Sequence, residues 1–190
     1  MKMKIWFSFT LFLSLLYACE EVYTPKQKGY FRIDLPENTY QNFENDCPFS
    51  FQYSNHAIVK ADNNPNAEPC WLNIDYPKFK ARIHLSYKKI DNNLNNFSEE
   101  SRTLVYKHTV KANDIRENLI QLDSNKVYGI YYDLQGNAAS FIQFHLTDSS
   151  KHFLRGSLYF NSRPNRDSLQ PVLDFIQKDI QHFIETTKWK

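Results

Sequence analysis

The chain has 190 residues, 42% of them hydrophobic and 16% aromatic, with a formal net charge of +2. That length can bury one substantial core, and an aromatic-rich chain with four glycines is neither disordered nor equipped with glycine-rich phosphate loops. The balance of 23 basic against 21 acidic residues excludes the positive excess of a dedicated nucleic-acid binder.

In chain order, Lys2 and Lys4 precede an uncharged run from Ile5 to Tyr17. A bilayer span needs about 20 apolar residues, so this basic start and short oily stretch read as a secretory signal peptide. Leu16-Tyr17-Ala18-Cys19 has the pattern of a bacterial lipobox, with Tyr17 its one departure. Residues 1–18 are therefore expected to be removed, and Cys19 to carry palmitate-class acyl chains. At about 0.8 kcal/mol per buried methylene, two or three such chains anchor a domain durably. Ordinary cleavage with a free Cys19 thiol is the alternative. Without residues 1–18, basic and acidic residues are equal at 21 each. Residues 19–28 then form a lipidated tether and 29–190 a single domain. Cys47 and Cys70 remain as an even pair in an oxidising compartment, for which a disulfide is the default. A two-thiol redox or metal site is the rival, without CxxC spacing or a histidine cluster to support it.

"GYFRIDLP" (29–36) alternates as a first strand, "PFSFQYS" (48–54) as a second and "KARIHLSYKKI" (80–90) as a third. Asparagine clusters at 63–66 and 92–96 mark loops. Across 93–115 the period changes: Leu94, Phe97, Leu104, Val105 and His108 recur at helical spacing. A three-stranded meander follows over 126–134, 139–147 and 152–160, with turns at Gly136-Asn137 and Asp148-Ser149. The closing helix carries Leu169, Val172, Leu173, Ile176, Ile180, Phe183 and Ile184 on one stripe, opposite Asp174, Lys178, Asp179 and Gln181. Asp167 with Gln170 is its expected capping box, and Pro171 falls in its first turn. The sum is an α+β domain: a mainly antiparallel sheet of about six strands, with two helices on one covered face. Its element order is similar to the Mog1/PsbP-like fold.

No nucleophile elbow, zinc-protease helix, Walker loop or dinucleotide fingerprint occurs, so no catalytic, metal or cofactor-binding residue is assigned. His145, Asp148 and His152 surround one turn but match no common metal spacing. Glu99 and Arg102 read as a surface pair on a helix, and Asp167-Ser168-Leu169 matches a short O-glycosylation signal that helix capping also explains. His152 and Arg155 lie on opposite faces of a strand, so one is expected to be buried and the other exposed. Tyr128, Tyr131 and Tyr132 put tyrosine on both faces of another, which predicts aromatic surface and a protein partner.

The segments "GYFRIDLP", "CPFSF", "CWLNIDYP", "IHLSYK", "YKHTVKA", "VYGIYYDLQGNAAS", "FHLTDSSKHFLRGSLYFN" and "PNRDSLQPVLDFIQKDI" together resemble the GldD family of gliding-motility lipoproteins of Bacteroidetes. The resemblance runs from about Gly29 to the C-terminus. It implies a non-enzymatic envelope lipoprotein, lipidated at Cys19, linked to the type IX secretion and gliding apparatus and partnered by its envelope proteins. Glu20 and Glu21 make only a short acidic run, so a periplasm-facing lipoprotein is expected, at the outer membrane rather than the inner. The competing reading is a periplasmic ligand-binding or enzymatic domain, with a polar pocket between sheet and helices built around Arg155, His145, Asp148 or His152.

Overall fold

The computed structural model describes residues 33–190. The expected export signal, Cys19, the expected tether of residues 19–28 and the start of the segment 29–36 lie outside them. Residues 33–39 run without strand pairing, so the strand expected there is absent over its described part. Pro36 has no N–H to give a ladder. The segment is held from the side instead. Lys78 donates to the Asp34 carbonyl at 2.7 Å, and Asn38 donates to Asp179 Oδ1 at 2.7 Å.

Two short strands come first, β1 (Tyr40–Phe43) and β2 (Phe49–Ser54). Next are β3 (Ile58–Ala61), β4 (Leu72–Tyr76) and β5 (Ala81–Lys89). Helix α1 (Leu94–Tyr106) ends in a 3-10 turn over Lys107–Val110. Four long strands follow except for one interruption: β6 (Ala112–Leu122), β7 (Val127–Gly136), β8 (Ser140–Thr147) and β9 (His152–Phe160) precede helix α2 (Arg166–Thr186) and the final β10 (Lys188–Trp189). The order β3-β4-β5-β9-β8-β7-β6 makes a seven-stranded sheet, antiparallel at every junction. β1-β2-β10 forms a separate three-stranded sheet. The α+β class and the antiparallel sheet are as the sequence implied.

The placement of the helices differs from expectation, since they lie on opposite faces of the large sheet. α2 and β2 cover one face, where Ile83, Leu85, Phe144, Leu146, Leu154 and Leu158 meet Phe51, Leu173, Ile176 and Phe183. α1 covers part of the other, where Val105 packs with Tyr132, Leu134 and Ala138. Tyr131 and Tyr132, 8% and 1% exposed, are buried one in each core, so the aromatic surface expected on that strand is reduced to the half-buried Tyr128.

Local differences have local causes. The stretch 112–115, read as helix, is the start of β6, where a bulge shifts the register between Ala112 and Asp114. The α2 cap is Asn165, whose Oδ1 accepts from Ser168 N at 3.2 Å, not Asp167. With that start, Pro171 falls inside the helix and removes one helical hydrogen bond. Asp179, placed on the polar face, is 2% exposed and accepts from Asn38. Both expected turns form: Gly136 sits at φ +90°, and Ser149 at φ 66° beside Asp148. Asp148 Oδ1 accepts from the backbone N–H groups of Ser150, Lys151 and His152.

Candidate functional site

Along β8 and β9 side chains alternate between the two faces. Ile142, Phe144 and Leu146 face the α2 core, opposite Leu158, Gly156 and Leu154. Gln143 and His145 therefore face α1, paired across the strands with Ser157 and Arg155. Polar residues thus occupy the middle of a sheet, where burial without partners is costly. His84 and Ser86 on β5 continue this row, in register with Ser157 and Arg155. α1 leans over it through Phe97, whose ring lies 5.5 Å from that of Phe153.

Between them is a groove of about 470 Å³. His84, Ser86, Arg155 and Ser157 line its floor, and Glu100, Ser101 and Leu104 of α1 its wall. The Arg155 Nη2 donates to Gln143 Oε1 at 2.5 Å, while its Nε is buried with no acceptor. Gln143 Nε2 and His145 Nδ1 are likewise buried and unpartnered. Among the described residues Arg155 makes no ion pair, unlike Arg82 with Asp75 or Arg166 with Asp133. Burial lowers the pKa of Arg155, and the nearby Tyr159 and Glu100 of the same groove offset that only in part, neither by an ion pair. Burial, then the Arg155 charge, pushes His145 down to about 4, so its imidazole is neutral at pH 7. The same two causes lower His108. His145 stacks on Phe153 with ring centroids 5.3 Å apart.

The other residues singled out in the sequence scatter. His152 faces the opposite side of the sheet, where its Nδ1 lies 2.9 Å from the Tyr87 hydroxyl and its ring stacks on Trp189 at 5.2 Å. It is 8% exposed and Arg155 is partly buried, so neither member of that pair is the exposed one. Asp148 is occupied by its turn. Burial would raise its pKa, but hydrogen bonds from Lys151, His152 and Ser150 outweigh that and hold it at about 2. His145, Asp148 and His152 thus do not converge, and no group of three potential metal ligands occurs among the described residues. Arg102 stacks over Tyr106 at 5.4 Å, on the exposed side of α1. Cys47 and Cys70 are joined by a disulfide with a Cα–Cα distance of 5.6 Å.

A second feature escaped the sequence reading. β6 is an eleven-residue strand at the edge of the seven-stranded sheet, and among the described residues it pairs only with β7. Leu119 in its second half is 78% exposed, and Val110, shortly before the strand begins, is 84% exposed. Tyr106 reaches the same strand, its hydroxyl donating to Glu117 Oε1 at 2.7 Å.

The profile of the family described as gliding motility lipoprotein GldD matches residues 20–189. The chain belongs to that family. It is a family of lipoproteins, tied to the cell envelope by lipid, and its description names motility rather than a reaction. The match starts one residue beyond Cys19, and no helix among the described residues is long and apolar enough to cross a membrane. No curated protein matches the sequence. Among solved structures, the solution structure of cyanobacterial PsbP (CyanoP) from Synechocystis sp. PCC 6803 is similar to this chain. It has a TM-score of 0.44 and 12% identity, covering 84% of this chain and 98% of that one. A likeness of that degree adds nothing on function to the GldD family assignment.

Proposed function

We propose that this GldD-family chain is a non-enzymatic assembly or stabilising factor of the gliding and type IX secretion apparatus. In this reading lipid on Cys19 anchors it, periplasm-facing, at the outer membrane, and the domain binds an envelope protein of that apparatus along the β6 edge. The observation that carries the reading is β6 itself: a long edge strand whose outer side has no partner strand among the described residues, with an exposed leucine in its second half. Open strand edges template pairing with another chain, and proteins that do not use them blunt them with charges, proline, bulges or short length. β3, the opposite edge, has only four residues, whereas β6 has eleven, and beyond the bulge and the charges of Asp114, Arg116 and Glu117 its last five residues carry no charge, proline or bulge.

The test is deletion of the gene, scored for colony spreading and for secretion of a type IX cargo. Complementation uses wild type, Cys19→Ser and Leu119→Lys. Wild type restores both traits, and Cys19→Ser and Leu119→Lys each fail at normal protein level. Normal spreading and secretion in the deletion strain would refute the apparatus reading. Full rescue by Leu119→Lys would remove the edge from it.

A further inference from the structure

A guanidinium without a carboxylate partner, set at the floor of a groove and shielded on one side by a helix, is an unfinished ion pair. Inside a protein such a charge is ordinarily neutralised by a partner or removed. Arg166 follows that rule, whereas Asp179, 2% exposed, is a second buried charge, held by the neutral amide of Asn38. Arg166, 9% exposed, pairs with Asp133 at 2.9 Å and donates to the Leu134 carbonyl. Among the described residues, the one hydrogen-bond partner of the Arg155 side chain is the neutral amide of Gln143, itself left with an unpartnered Nε2, and Glu100 acts on it without an ion pair. Beside them the groove changes character. Phe97 and Leu104 of α1 and Phe153 of β9 give it an apolar side.

We propose that this groove binds a carboxylate carried on an apolar body, the carboxylate pairing with Arg155 and the body lying against Phe97, Leu104 and Phe153. The site lies on the α1 face of the sheet and does not depend on the β6 edge. A singly charged head suits it better than a phosphate. Glu100 and Asp62 line the same groove, and their charges repel a dianion about twice as strongly as a single carboxylate. Lys88 adds little attraction, since it is already paired with Glu68. Arginine suits the task because its planar fork can hold a carboxylate and Gln143 at once. The neutral His145 beneath supplies no competing charge. The carboxylate has two sources of the same chemistry, the C-terminus of a peptide and a free fatty acid, and the groove's volume of about 470 Å³ lies in the range of small-ligand sites.

The test is calorimetric titration of the full chain with four probes: octanoate, octanamide, the peptide acetyl-Ala-Ala-Leu with a free carboxylate, and the same peptide amidated. Inorganic phosphate is the anion control. At least one carboxylate probe is expected to bind about tenfold more tightly than its neutral amide and than phosphate. Preference for octanoate identifies a fatty acid, and preference for the free peptide identifies a C-terminus. Arg155→Met is expected to erase the difference between acid and amide, and Arg155→Lys to restore part of it. Equal binding of acid and amide by the wild-type chain, or no binding of either acid, overturns the proposal. So does an acid preference that survives in a folded Arg155→Met. The acid–amide comparison on wild type decides the matter even if a variant fails to fold.

Discussion

On the α2 side of the large sheet, the Phe144 ring lies flat over Gly156, its partner on β9. A Cβ added to that glycine would stand 2.1 Å from the ring. One residue along on the same two strands, on the α1 side, Gln143, His145 and Arg155 keep buried nitrogens without partners. The first face is dominated by close apolar contact, although the Tyr131 hydroxyl and Asp179 Oδ2 are buried there without partners, whereas the second gathers three such groups in one row across two strands. Packing of the first kind stabilises; a buried polar row of the second kind costs stability and persists where something else uses it. Substitutions on the two faces should therefore part company.

The largest effect belongs to the α2 face. Phe144→Ala should cost about 4 kcal/mol of unfolding free energy, read by urea denaturation, because the ring contacts Phe183 and fills the space above Gly156. Opening the disulfide comes next. Cys47→Ser with Cys70→Ser removes a closure over a separation of 23 residues, for a loss of about 3 kcal/mol on the chain-entropy account. The same loss should follow reduction of the wild type.

The α1 face should reveal itself through pH. His145 is held at about 4, below its ordinary 6.5, so on acidification the unfolded chain takes up its proton first. Its contribution is full above pH 6.5 and is lost as pH falls toward 4, by about 3 kcal/mol at most. Burial lowers His84, His108 and His152 as well, with the same sign. Asp148, held at about 2, adds a later loss between its ordinary 3.8 and that value. The urea midpoint should therefore drop between pH 7.5 and pH 4.5, and His145→Phe should shrink that drop. An unchanged pH profile in His145→Phe would contradict the burial of a neutral imidazole.

A smaller effect concerns the start of the domain. Asp179 accepts from Asn38, and burial together with the Asp179 charge pushes the Tyr40 hydroxyl up to about 12. Asp179→Asn should cost about 1–2 kcal/mol and hasten proteolysis within residues 33–39, read by timed digestion.

The sequence made β5, β8, β9 and α2 legible because each presents a regular apolar face to one core. β6 was hidden for the opposite reason. An edge strand with Asp114, Arg116 and Glu117 exposed has no alternation to read, and the helical spacing before it ran on into it. β4 carried a usable signal, since Leu72, Ile74 and Tyr76 alternate with Asn73 and Asp75, and it was overlooked. The groove was only half visible. Arg155 and His145 stood out by residue type, but Gln143 and Ser157 did not. Nothing in the spacing tells on which face α1 lies, because a helix stripe fits either side of a sheet equally well.

The most direct test of the difference between the faces is the unfolding free energy of Arg155→Met beside that of Phe144→Ala. If the arginine row is unfinished, Arg155→Met stays within about 1 kcal/mol of wild type, or rises above it, while Phe144→Ala falls by about 4 kcal/mol. A loss in Arg155→Met as large as that of Phe144→Ala would show that Arg155 is a satisfied part of the core, and the account of the two faces would fail.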